Sequence, residues 1–213
     1  MRSAIVVCAG GPVRRALPSF GNDPIVIAAD SGVVEAQRLD LSIDRVVGDM
    51  DSVPPDLVVA LEAEGVAVER HPTDKDASDL ELAMESALKE GAEEILVLGG
   101  DGGRLDHLLG TALLLAAERW VGARIDAVLG DALIHVIREE RRMHGEIGEL
   151  VSLFAPGGTA SGITTAGLRW RLSNEALFPG STRGLSNEFA EPRARVRVRE
   201  GVVLAVRPGT ESL

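Results

Sequence analysis

The stretch 95–107, ILVLGGDGGRLDH, runs from an apolar β-type segment through a glycine loop into a leucine-rich helical pattern. A strand fed straight into a loop and a helix is half of a βαβ unit, so the sheet it belongs to is expected to be parallel. Gly99, Gly100, Gly102 and Gly103 let the backbone approach a ligand closely, and the helix start offers free N–H groups to phosphate oxygens. The loop lacks the Lys and Ser/Thr of a Walker motif and the GxGxxG order of dinucleotide folds. Arg104 is the natural counter-charge to a phosphate. His107, three residues on, reads as a core or capping histidine. The helix from about Leu105 to Trp120 carries Leu105, Leu108, Leu109, Leu113, Leu114 and Leu115 nearly all round, which predicts a buried central helix.

Outward from this stretch, strand-like and helical runs alternate from Ser3 to about Leu129, the pattern of an α/β, Rossmann-like domain. One helix is predicted after Ser78, where Ser78 and Glu81 form a capping box ahead of Leu80, Ala83, Met84, Ala87 and Leu88. Beyond Gly130 the helices stop. Strand-like segments at 133–138, 150–155, 167–172, 193–199 and 202–206 follow one another between glycine and proline turns, as in an all-β sandwich or barrel. A boundary near residue 130 is therefore expected, with an α/β domain over residues 1–130 and an all-β sandwich or barrel over 131–213. Arg193, Arg195, Arg197 and Arg199 alternate with Ala194, Val196 and Val198, which reads as one wet face of a half-buried strand rather than a nucleic-acid site.

Four predicted strands of the first domain are each followed by aspartate: Asp30; Asp49 and Asp51; Asp74, Asp76 and Asp79; Asp101 and Asp106. Parallel strands present their carboxyl ends to one crevice, so acids distant in sequence are expected to converge there. Gathered carboxylates repel one another, a cost tolerated where a hard cation such as Mg²⁺ neutralises them. In 48–52, GDMDS, the two acids at alternate positions share a side if the segment is extended, and the competing reading is a plain surface turn. Asp79 alone is also accounted for by a helix N-terminus. Lys75, among these acids, is a candidate phosphate contact.

A net charge of −11 argues against nucleic acid or an anionic membrane as partner and fits a nucleotide arriving as its magnesium complex. Cys8 is the single cysteine, so no disulfide forms within the chain, and no stretch reaches membrane-spanning length; a cytoplasmic protein is expected. With 3% aromatic residues and no tyrosine, Trp120 and Trp170 each invite a question about their task.

The ordered set ADSG at 29–32, GDMDS at 48–52, KDASDLELA at 75–83, GGDGGRLDH at 99–107, GLRW at 167–170 and GLSNE at 184–188 resembles the thiamine pyrophosphokinase (thiamine diphosphokinase) family over nearly the whole chain. The resemblance implies transfer of pyrophosphate from ATP to the hydroxyl of thiamine, giving thiamine diphosphate and AMP. It implies a catalytic α/β domain, a C-terminal β-sandwich domain and a homodimer with thiamine sites between subunits. Asp30, Asp49, Asp51, Asp79 and Asp106 are then expected around Mg²⁺ and the phosphates, with Asp49, Asp51 and Asp79 as metal ligands. Arg104, Lys75 and the loop glycines would meet ATP, and Trp170, Ser186 and Asn187 would meet thiamine. The competing readings are a related pyrophosphokinase acting on another alcohol, such as a hydroxymethylpterin, and a non-catalytic nucleotide or thiamine sensor. The GLRW and SNE segments speak against the first, and the complete set of acids against the second.

Overall fold

The computed structural model describes residues 1–209 of a mixed α/β chain. The chain divides into two compact units, one formed by Met1–Leu108 with Gly122–Gly130, the other by Leu109–Val121 with the chain from Asp131 onward.

The first unit contains β1 (Ser3–Val7), β2 (Ile25–Ala29), α1 (Gly32–Arg38), β3 (Arg45–Gly48), α2 (Pro55–Ala63), β4 (Ala67–Arg70), α3 (Asp79–Lys89), β5 (Glu94–Gly99), the start of α4 (Leu105–Leu115) and β6 (Arg124–Leu129). Its strands run in the order β6-β5-β1-β2-β3-β4, every pair parallel. The central strands are apolar at successive positions, and β1 is buried along its whole length, as strands covered on both faces must be. Strand order reverses between β1 and β5, which makes their carboxyl ends a topological switch point. Ser78 starts α3 as expected, its Oγ accepting the Glu81 N–H at 3.2 Å.

The second unit contains the remainder of α4, a 3₁₀ turn at Glu118–Trp120, and β7 (Ala132–Ile137), β8 (Glu140–His144), β9 (Leu150–Phe154), β10 (Ala160–Ala166), β11 (Glu175–Leu177), β12 (Asn187–Glu188), β13 (Arg193–Arg197) and β14 (Val203–Arg207). Antiparallel pairing joins β12-β9-β14-β7 and, separately, β11-β10-β13-β8. Ile137, Val151, Leu153 and Val203 of the first set share one apolar cluster with Met143, Ile163, Leu177 and Val196 of the second. Burial of this alternating face is the main force holding the unit together. The arginines of β13 stand outward while Ala194 and Val196 are buried, as the alternation predicts.

Two expectations fail. The α4 helix is not a buried central helix: it ends at Leu115, and Leu105, Leu109 and Leu113 are 69%, 56% and 57% exposed. Those three recur every fourth residue and so share one face, while Leu115 and Ala116 turn inward. Apolar residues all round the helix left its direction of burial unspecified. The second concerns 167–172, which is not a strand. Gly167 takes φ +73°, and only Leu168 makes a bridge, to Phe189. The strand lies just before it, in β10, where Gly162 (φ +66°) and a shift in register between Ala160 and Ile163 blur the alternation.

Candidate active site

Parallel pairing brings three of the acids together. Asp30 follows β2, Asp49 follows β3, and Asp79 opens α3 after β4; one carboxylate oxygen from each lies within 4.8 Å of the others. Asp30 is 9% exposed and takes φ +44°, held by its N–H donating to Val47 O at 2.9 Å. Its Oδ1 is buried and accepts no hydrogen bond from any of the described residues. A buried carboxylate oxygen without a donor is costly unless a ligand serves it.

Lys75 reaches into this group. Its Nζ donates to Asp49 Oδ2 at 2.8 Å and forms an ion pair with Asp79 Oδ1 at 3.1 Å. The Lys75 hydrogen bond, with help from the Asp51 N–H, holds the Asp49 carboxyl below its ordinary pKa. Burial raises that of Asp79 despite Lys75, and the charges of Asp49 and Asp30 add to the rise. Burial opposes the charge on Lys75, yet its bonds to Asp49 and Asp79 leave its pKa above the ordinary lysine value.

Gly48 shows how tightly the acids are set. It adopts φ +152°, and a Cβ there would lie 3.0 Å from Asp79 Oδ1 and 3.1 Å from Asp30 Cβ. Gly48→Ala is therefore expected to cost about 1–3 kcal/mol of stability through backbone strain and to displace the carboxylates, lowering activity further than the melting temperature alone accounts for. Thermal melting beside an activity assay checks this; an unchanged melting temperature with full activity would sink it.

The other predicted acids stand apart from this trio. Asp51 is exposed and accepts from Ser52 Oγ at 2.8 Å, because the segment is a turn with Met50 at φ +63° rather than an extended run. Asp74 and Asp76 are exposed. Asp101 accepts from Arg14 at 2.8 Å, which lowers its pKa. Asp106 pairs with Arg104, whose Nε and terminal nitrogen donate at 3.2 and 2.6 Å, and that hydrogen bonding pulls its pKa down to about 2.

Beside the switch point, at the same end of the parallel sheet, is an open cleft of about 520 Å³ lined by Gly10, Arg14, Asp101, Gly103, Arg104 and His107, among others. His107 is exposed here, not a core residue. The loop glycines divide by task. A Cβ on Gly100 would lie 1.8 Å from Gly10 O, and one on Gly99 would lie 2.5 Å from Cys8 Sγ, so these two permit the close approach of the loops after β1 and β5. Gly102 and Gly103 line the cleft, although the Gly102 N–H already donates to Gly10 O at 3.0 Å. Burial pushes the Cys8 thiol up to about 12, which makes it a packing residue rather than a nucleophile.

Arg14 escaped the sequence reading. What holds its loop is Glu35, a buried acid that accepts the Val13 N–H at 2.7 Å and pairs with Arg38, while Arg38 donates to Val13 O at 2.6 Å. The only hint was an acid inside an otherwise apolar stretch of α1.

In the second unit Trp170 is 53% exposed, so it is not a core tryptophan; that task falls to Trp120, 1% exposed with its indole N–H donating to Leu114 O at 2.6 Å. Asn187, buried, fixes the Trp170 backbone from both sides: Oδ1 accepts the Trp170 N–H at 3.1 Å and Nδ2 donates to Trp170 O at 2.8 Å. Arg169 stacks on the Trp170 ring at 4.9 Å and pairs with Glu188. Ser186, at φ +54°, is tied by its N–H to Ser152 Oγ at 3.0 Å. The structure thus brings GLRW and SNE together and presents an aromatic face to solvent.

Residues 18–129 match the family model of the thiamin pyrophosphokinase catalytic domain, and residues 133–203 that of the thiamin pyrophosphokinase vitamin B1 binding domain. Thiamine pyrophosphokinase 1 of Oryza sativa subsp. japonica is 30% identical over 209 residues, an alignment covering 92% of this chain and 75% of the relative. Thiamine pyrophosphokinase of Bacillus subtilis (strain 168) is 26% identical, with 95% and 97% covered. A crystal structure of thiamine pyrophosphokinase from Bacillus subtilis shares the fold with a TM-score of 0.80, at 24% identity over 97% of this chain and 99% of that one. With both domain models matched in order and most of the sequence aligned to such relatives, the chain belongs to the thiamine pyrophosphokinase family.

Proposed function

We infer that this protein is a thiamine diphosphokinase, transferring pyrophosphate from ATP to the hydroxyl of thiamine and releasing AMP. Family membership over both domains carries the reading. The decisive experiment is AMP release from magnesium-ATP by the purified chain: it is expected to require added thiamine. AMP release that ignores thiamine, or that responds to a hydroxymethylpterin instead, would overturn it.

Mg²⁺ suits Asp30, Asp49 and Asp79, which supply hard oxygen donors from three segments around a buried, unpartnered Oδ1. When bound, the ion neutralises phosphate charge and orients the polyphosphate. Asp51, whose carboxylate stands outside the trio but whose N–H donates to Asp49 Oδ1 at 3.3 Å, is proposed to act on the ion through water. Around the cleft, Arg104 and the amides and small residues of the Gly99–Gly103 loop would hold the ATP phosphates, with Lys75 as a further phosphate contact. An alcohol is a weak nucleophile, so these groups act chiefly by positioning it in line with the β-phosphorus and by absorbing charge as AMP leaves. Asp30, Asp79 and Asp106 are the candidate acceptors of the hydroxyl proton. Asp106 is already strongly acidic through Arg104, which makes it a weaker base than Asp79, whose pKa burial raises.

For thiamine, we propose Trp170 as the stacking surface, with Ser186 and Asn187 shaping its backbone. Trp170→Ala is expected to raise the KM for thiamine about tenfold, through lost aromatic contact, while the KM for ATP stays within about twofold. An unchanged thiamine KM would remove Trp170 from the site. We also read residues 1–130, apart from the 109–121 segment that belongs to the second unit, as a Rossmann-like nucleotide domain, and residues 131–213 as a β-sandwich thiamine-binding and dimerisation domain. The reversal of strand order and the shared apolar cluster support those descriptions. A homodimer in a reducing, cytoplasmic setting completes the proposal; a solution mass of one chain would contradict the dimer. Among the described residues no helix is long and apolar enough to cross a membrane.

A further inference from the structure

The chain has 20 arginines and only two lysines, Lys75 and Lys89. One of the two is set among the acids. Lys75 Nζ bridges Asp49 and Asp79, carboxylates delivered by two different segments, and its side chain is only 14% exposed. Asp30, the third and deepest member, keeps an Oδ1 that no donor serves. The ammonium is thus hydrogen-bonded to Asp49, only ion-paired with Asp79 Oδ1, and reaches Asp30 not at all.

We propose that Lys75 is an exchangeable counter-ion, its ammonium occupying the divalent cation's place between Asp49 and Asp79 until the cation enters and displaces it. The inference rests on Asp30, Asp49 and Asp79 being the cation ligands. Three carboxylates this close repel strongly when nothing positive lies between them, so a resident cation stabilises the free protein. An ammonium and a divalent ion repel each other at such range, so both cannot hold the same two oxygens. Lysine suits the task because it is a compact point charge on a flexible stem, whereas a guanidinium would lock its carboxylates into a planar fork. Lys75 also lies in an irregular segment between β4 and α3, where the stem can swing without breaking a helix. Cation affinity in the free protein is then lower than the three acids alone would give, by the cost of moving Lys75.

The test measures Mn²⁺ binding to the nucleotide-free protein by electron paramagnetic resonance. Lys75→Met should bind Mn²⁺ about tenfold or more tightly than the wild type, because the competitor is gone. Equal or weaker binding in a variant that melts normally would overturn the proposal. A second measurement needs no variant at position 75. With Lys89→Arg, Lys75 is the sole lysine, and its side-chain NMR signals should shift and saturate as Mg²⁺ is added to the wild-type site. Signals that stay fixed while Mg²⁺ binds would also overturn it. Asp49→Asn separates this inference from its premise. If that variant binds Mn²⁺ as the wild type does, the cation site itself is misassigned. If it loses Mn²⁺ while Lys75→Met gains nothing, the exchange alone fails.

Discussion

Asp49→Asn is expected to lower thiamine diphosphate formation by about 10²–10³-fold, the usual loss when one preorganised charge facing a reacting group is removed. The amide keeps the volume and some hydrogen-bonding capacity, so what is lost is charge. Asp49 is the acid to choose because it both belongs to the trio and anchors Lys75 at 2.8 Å. Its loss is therefore expected to weaken the proposed cation site and to release the lysine. Stability should change by no more than about 1–2 kcal/mol, since the forfeited ion pair is offset by relief of repulsion from Asp30 and Asp79. Steady-state assays beside thermal melting check both halves. Activity within a fewfold of wild type would detach Asp49 from the chemistry.

Arg104→Lys should reduce kcat by about 10–100-fold while leaving the KM for thiamine within a fewfold, because lysine keeps the charge and loses the two-pronged geometry. Asp106 holds the guanidinium by both prongs and, with its pKa at about 2, stays ionised at any pH used for assay. The other edge of the guanidinium is accordingly oriented in advance for the phosphate contact proposed above. Should the substitution alter only the apparent thiamine affinity, Arg104 belongs to the other substrate.

The α/β half was legible because burial on both faces forces continuous apolar strands, and because parallel pairing makes strand-end acids meet. Which acids meet was not legible. That choice depends on turn geometry: Met50 at φ +63° turns Asp51 outward, while the positive φ of Asp30 points its carboxylate into the group. The GDMDS segment read as extended or as a turn, and the structure makes it a turn that still delivers one of its acids. The burial of α4 was misread because apolar residues all round a helix carry no direction. In the β half, β10 was obscured by glycine and threonine, and β8 by its charges, Glu140, Arg141 and Arg142. Trp170 stood out by the scarcity of aromatic residues, yet only the structure separates its exposed ring from the buried one of Trp120.

The chain passes between the two units three times, after residues 108, 121 and 130. Residues 109–121 leave the first unit for the second, and 122–130 return to supply β6 beside β5. A nascent polypeptide therefore cannot complete its first unit when residue 108 has emerged; β5 waits with an open edge until the intervening segment has also left the ribosome. Open strand edges invite mispairing, so the interval is one in which a chaperone has work to do. The same interleaving frustrates dissection. A gene fragment cut at residue 121 lacks β6, and one beginning at 131 lacks Trp120 as well as Ala117, whose carbonyl receives the Arg138 guanidinium at 2.7 Å. Neither piece carries all of its own interior, and a protease nick in the 116–123 region should lead to loss of both units rather than release of either.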